Sequence, residues 1–201
     1  KYDGNGDFKW AKCLGGTGNV YGYGINIDPF SNIYVTGQFA GQTDLDPGPG
    51  VYSVPLLGSA WAFLCKFDTA GNFTWARVFG GHEFTMVASV ITDQAGNPYT
   101  FGLYTDFVEF DDGSGSYYLY SQYGGDPFFC KFSSSGNFEW VGAFEGMSED
   151  RIYSIAVDAQ NNLYLAGCLQ GPTDFDPGPG TNIYYENSFC TTYIVKLHES
   201  D

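Results

Sequence analysis

Short runs in this chain alternate apolar and polar side chains with a period of two, as at Cys65-Lys66-Phe67, Phe73-Thr74-Trp75 and Ala76-Arg77-Val78, within the longer runs 63–67 and 73–78. That period puts one face of a strand on a core and the other toward water, so the runs predict β-strands. A shorter type of strand is small-sided: Gly24-Ile25-Asn26-Ile27, Ser89-Val90-Ile91-Thr92 and Ser154-Ile155-Ala156-Val157. Each is followed by a turn that opens on Asp and closes on Asn (28–32, 93–97, 158–162). The Asp can accept turn amides, and Asn or Gly tolerates a positive φ. A further strand runs from Ile33 towards Asp46 and stops at Asp-Pro-Gly-Pro-Gly, Asp46–Gly50. Proline has no amide for a ladder and glycine permits a reversal, so the chain turns there. No stretch carries the 3.6-residue period of an amphipathic helix.

The runs recur. Lys1, Lys66, Lys131 and Lys196 are 65 residues apart, and the columns between them align without insertion or deletion. Trp10, Trp75 and Trp140 share a column, as do Tyr34, Tyr99 and Tyr164, and Gly37, Gly102 and Gly167. The repeats are 1–65, 66–130 and 131–195, with 196–201 restarting the pattern. Four antiparallel strands per tandem unit describe a propeller blade. The predicted fold is therefore all-β: a β-propeller, or a segment of one, with four-stranded antiparallel blades in three 65-residue repeats. By phase the chain opens on a fourth strand, 8–14, and its last unit has strands one to three only. Strand 8–14 is expected to complete a blade whose other strands lie at 150–199 or in another chain. The columns Ile25/Val90/Ile155, Tyr34/Tyr99/Tyr164, Cys65/Cys130/Val195 and Trp10/Trp75/Trp140 are expected in the core.

The motif Asp-x-x-x-Asn-x-Tyr-x-x-Gly, then Thr-Asp-Phe-Asp-Pro-Gly-Pro-Gly, then Lys-Phe-Asp-x-x-Gly-Asn-Phe-x-Trp, resembles the bacterial β-propeller repeat called SBBP. The resemblance covers the whole chain. The middle copy departs from it, with Asp112-Gly113-Ser114-Gly115 in place of Pro-Gly-Pro-Gly. It implies a scaffold found in large secreted or surface-displayed proteins, and it implies no reaction, because the family is defined by its fold.

Composition narrows the function. The net charge of −15, with eight Lys and Arg, disfavours nucleic acid and anionic lipid, both of which need cationic side chains. No run of eighteen apolar residues predicts a membrane span, and no signal-peptide pattern is expected at the start. The expected location is extracellular or on the cell surface.

Candidate chemistry is sparse. Asp44/Asp46 and Asp174/Asp176 stand two apart, on one face of a strand, beside a Gly/Pro turn. Such hard oxygen ligands suit Ca²⁺, the one cofactor considered, against the plainer role of turn caps. Asp3-Gly4-Asn5-Gly6-Asp7 is read as a turn before a Ca²⁺ loop. Tyr117, Tyr118, Tyr120 and Tyr123 occur in one copy only, so packing common to all copies does not require them. They are candidates for contact with a protein or carbohydrate partner. Five cysteines leave at least one unpaired. A hairpin about Gly178–Gly180 opposes Cys168 to Cys190, which predicts a disulfide between them and an oxidising compartment. His82 and His198 are unrepeated and no catalytic motif is present, so no enzyme is expected. A structural or adhesive scaffold leads, with further blades of the same protein, or strand exchange between copies, as the expected partner. A lectin-like propeller is the alternative.

Overall fold

The computed structural model describes residues 1–54, 60–111, 116–148, 150–185 and 190–198, the side chains of 111, 116, 122 and 123 excepted. Among them there is no helix. β1 (Asn19–Ile27), β2 (Ile33–Ala40), β3 (Trp61–Phe67) and β4 (Phe73–Gly80) pair antiparallel in chain order. β5 (Thr85–Thr92), β6 (Pro98–Asp111), β7 (Ser116–Phe132) and β8 (Phe138–Ala143) do the same. β9 (Arg151–Val157), β10 (Leu163–Leu169) and β11 (Thr191–Leu197) form a third antiparallel set, with β11 at its edge.

The turns explain themselves at atomic level. Asp28 Oδ1 accepts the amides of Phe30 (2.9 Å) and Asn32 (2.8 Å), and its Oδ2 accepts the Asn32 side-chain amide (2.8 Å). Asp93 and Asp158 repeat this pattern, and Asp68 uses it in the turn between β3 and β4. The residue before the closing Asn is left-handed each time: Ser31 (φ 67°), Gly96 (φ 80°) and Asn161 (φ 62°). Glycine at 37, 102 and 167 has a different cause. β1, β5 and β9 each carry a bulge opposite it, and an added Cβ would run into the carbonyl of Tyr21, Met86 or Arg151.

Neighbouring sheets are tied by recurring contacts. Gly15 pairs with Asp44, Gly80 with Glu109 and Glu145 with Asp174, so the chain leaving each fourth-strand position joins the outer rim of the next sheet. Lys66 Nζ and Trp75 Nε1 both donate to the Ser134 carbonyl, at 2.7 and 3.2 Å. Tyr34 Oη donates to the Gly96 carbonyl at 2.8 Å. One apolar core joins Tyr34, Leu64 and Trp75 to Val90, Phe110, Phe128 and Cys130. A second joins Tyr99, Phe101 and Phe129 to Ile155, Leu165 and Tyr193. Each sheet thus offers one face backwards and one forwards.

Three expectations need correction. Ile25 is not in a core: it is 69% exposed, whereas Val90 and Ile155 of its column are 1% and 8% exposed. The latter two pack on a preceding sheet, and Ile25 has none before it. Tyr164, Val195, Trp10 and Trp140 are only partly buried, while Cys65 and Cys130 are fully buried. Residues 8–14 form no strand and pair with nothing at 150–198 among the described residues; their ladder contact is one bridge, Tyr2 with Phe8. The expected register across β10 and β11 is off by two. Cys168 opposes Thr192, so the Cys168–Cys190 disulfide, with Cα atoms 5.5 Å apart, runs diagonally to a residue just before β11.

Candidate functional site

The Asp-x-Asp carboxylates are occupied by their own turns. Asp44 Oδ1 accepts the amides of Asp46 (3.0 Å) and Tyr52 (2.8 Å), and Asp46 Oδ1 accepts that of Gly48 (2.7 Å). Asp174 and Asp176 do the same with Asp176, Asn182 and Gly178. The Asp46 and Asp176 carboxylates lie where a Cβ on Gly50 or Gly180 would be, which is why glycine ends the motif. Among the described residues no group of three His, Cys, Asp or Glu side chains is placed to hold a metal ion. The equivalent segment of the middle copy, Asp112 to Gly115, lies outside the described residues. Asp3 caps its turn through the amides of Asn5 and Asp7 and pairs with Lys9 at 2.8 Å.

The tyrosines divide between two faces of the long β6–β7 hairpin. Tyr118 and Tyr120 stack (centroids 6.3 Å, planes 24° apart), and Phe107 stands against both. Tyr118 Oη donates to Glu109 at 2.8 Å. The result is an exposed aromatic ridge. Tyr117 points to the other face, against Phe138 (4.7 Å). The side chain of Tyr123 lies outside the described residues.

Beside the ridge lies a cleft of about 350 Å³ lined by Tyr120, Asp126, Glu145, Met147, Asp174 and Tyr185. Burial pushes the Asp126 carboxyl up to about 6, against hydrogen bonds from Ser121 and Gly146 that favour its charge. Asp150 accepts the Gln170 amide (2.8 Å) and the Thr173 hydroxyl (2.7 Å), and burial raises its carboxyl too. Sequence reasoning missed both acids. The signal was there: their columns hold Trp61 and Thr191, and Val20 and Thr85, so each acid occurs in one copy only.

The larger feature is the unpartnered end of the third sheet. No strand pairs with the outer side of β11 among the described residues, and a groove of about 590 Å³ runs along it, lined by Phe175, Tyr184, Tyr193, Val195 and Leu197 among others. Ile194 is 79% exposed, while Leu64 and Phe129 of its column are 0% and 2% exposed. Tyr164 Oη, whose counterpart Tyr34 reaches the next sheet, turns back to its own Asp158 at 3.0 Å. With the Asn162 side-chain amide as the main cause, that contact helps hold the Asp158 carboxyl down to about 2.

Comparison with known proteins adds one family and one relative. Residues 9–38 match the β-propeller repeat family SBBP. The matched SBBP segment contains β1, its Asp28 turn and most of β2, the unit whose columns recur at intervals of 65 residues. The chain is also similar to an uncharacterized WD repeat-containing protein of Acanthamoeba polyphaga mimivirus, 25% identical over 212 residues that cover 92% of this chain. The SBBP-matching chain spans 15% of the length of that relative.

Proposed function

We propose that this chain is a non-enzymatic protein-interaction scaffold, built of two four-stranded β-propeller blades and the first three strands of a third, which stack on further blades of the same kind. One observation carries the reading: residues of one column are buried between sheets and bare at the ends. Ile25 and Ile194 are exposed where Val90, Ile155, Leu64 and Phe129 are covered. Burying an Ile side chain is worth about 1.5–3 kcal/mol, so a partner of matching shape gains at both faces. The WD-repeat relative supports a role in protein contact. The Cys168–Cys190 bond supports an oxidising, extracellular or cell-surface setting. The Asp-Pro-Gly turns act as caps in this reading, with Ca²⁺ as the ion they would take if they took one. Light scattering and thiol labelling test the scaffold role: Ile25→Cys and Ile194→Cys should be protected in a particle heavier than one chain. A single-chain particle with both thiols freely labelled is the contrary result.

A second reading has its own observation. The Phe107/Tyr118/Tyr120 ridge beside the carboxylate-lined cleft offers an aromatic stacking surface next to acceptors, the arrangement that suits a carbohydrate. On a glycan array this predicts binding that Tyr120→Ala removes. A silent array leaves the scaffold alone.

A further inference from the structure

We propose that the cleft between the β6–β7 hairpin and the rim of the third sheet binds an organic cation, the ammonium or guanidinium end of a lysine or arginine side chain on a partner protein. The inference rests on the scaffold reading and names the chemistry of one contact that the scaffold makes.

The cleft exists because two columns change together. Where the first sheet meets the second, the Trp61 ring lies on Gly80 and leaves no room there for a Cβ. Where the second sheet meets the third, the same two columns hold Asp126 and Glu145. A carboxylate is far smaller than an indole, so the corner stays open as the cleft of about 350 Å³, with both acids in its lining. Packing alone does not ask for the exchange, because tryptophan on glycine already closes the first corner.

The acids are set against one another. Glu145 pairs with Asp174 across the rim, a position at which like charges repel. The other two copies place glycine opposite the acid, Gly15 with Asp44 and Gly80 with Glu109. The charges that act on Asp126 are negative as well, those of Asp150 and Glu145. Asp126 is 3% exposed, and its hydrogen bonds come from neutral donors, the Ser121 hydroxyl and the Gly146 amide. A carboxylate offers roughly four acceptor sites, so part of its capacity is unused. Beside it stands the Tyr104 hydroxyl, which is fully buried and has no hydrogen-bond partner. Tyr104 is opposite Asp126 in the β6–β7 ladder, so both side chains leave the same face, and the charges of Asp126 and Glu145 act on its hydroxyl. Two buried oxygens with capacity to accept, in a corner of negative charge, favour a donor that carries positive charge.

The rest of the lining fits a side chain better than a bare ion. Met147, Pro172 and Ile183 give an apolar wall for an alkyl stem, and the Tyr120 and Tyr185 rings offer their faces to a cation. Among the described residues no three acids are placed to enclose a metal ion, and none of Asp126, Glu145 and Asp174 forms an ion pair. The chain has few cations of its own to bring there, eight Lys and Arg against 23 Asp and Glu. The positive charge is therefore supplied by the partner.

Nα-acetyl-lysine amide is titrated into the full chain and followed by NMR, with Nα-acetyl-arginine amide, the neutral Nα-acetyl-norleucine amide and CaCl₂ in parallel. The two organic cations should shift the Tyr120, Gly146 and Met147 resonances saturably, and norleucine should not. Glu145→Gln changes an exposed residue whose column holds glycine in the other copies, so the fold is kept, and lysine binding should weaken about tenfold. Asp126→Asn should weaken it likewise, whereas Asp7→Asn, which removes an exposed acid from the amino-terminal turn, should change nothing. Norleucine binding as tightly as lysine, Ca²⁺ giving the same shifts, undiminished binding by Glu145→Gln and Asp126→Asn, or no shift with either cation overturns the inference. Ile25 and Ile194 are not part of the cleft, so thiol labelling at those positions reports on the scaffold reading whichever way the titration falls.

Discussion

At the scale of single residues, aspartate recurs because it solves one problem: a tight turn leaves amides with no ladder to join. Asp93 is buried and accepts three hydrogen bonds in its turn. Asp93→Ala should cost about 1–3 kcal/mol in urea unfolding, because buried donors lose their acceptor. Asp68→Ala should cost less, because its turn is exposed and water can replace the carboxylate. Asp126 behaves in the opposite sense. Burial lifts its pKa from 3.8 to about 6, so the folded chain holds the proton to higher pH than the unfolded chain does. Stability contributed by this group therefore falls as pH rises from about 4 to about 6. Urea midpoints at pH 4, 5, 6 and 7 should show that fall, and Asp126→Asn should flatten it. Titration with millimolar Ca²⁺ should leave the melting temperature unchanged if the Asp44/Asp46 and Asp174/Asp176 carboxylates serve only their turns.

At the scale of strands, the pattern of side chains located the long strands of the sheets and glycine marked the bulges, but the strand expected at 8–14 does not form and the two-residue pairings at the rim were not legible. Gly102 faces the bulge after Val87, and its Cβ position is taken by the Met86 carbonyl and the Phe128 ring. Gly102→Ala should destabilise by about 1–3 kcal/mol, the range for overpacking, and the same change at exposed Gly4 should be nearly neutral. Register was harder to read. The Cys168–Cys190 pairing was drawn from a hairpin centred on Gly178–Gly180, yet the ladder sets Cys168 against Thr192. The loop between the strands contains its own two-residue pairing at Asp174 with Ile183, so the centre of that turn does not set the register of β10 and β11. Reducing the disulfide should still cost about 3 kcal/mol, because the bond closes a loop of 22 residues in the unfolded chain. The melting temperature with and without reductant measures it.

At the scale of the whole chain, identical columns carry unequal energies. Leu64→Ala empties a fully buried site between two sheets and should cost about 2–5 kcal/mol, whereas Ile194→Ala, in the same column, should change single-chain stability by less than about 0.5 kcal/mol. Thermal unfolding of the two variants compares them directly. Any assembly through the third sheet should weaken with Ile194→Ala and not with a change at Tyr117, which packs on its own sheet.

The sequence by itself determined the strands, their turns and the 65-residue period, because alternation, capping and left-handed positions are local demands that each copy must meet separately. It also marked Cys65 and Cys130 as core residues through their exchange with Val195. The faces that remain bare were decided only by tertiary structure. Ile25, Val90 and Ile155 read alike along the chain, and what separates them is whether another sheet lies in front. The Asp126 cleft has the same origin, since its acids come from segments that meet only when the second and third sheets pack. Burial is a property of neighbours in space, and one column of the repeat meets different neighbours in the middle sheet and in the outer two.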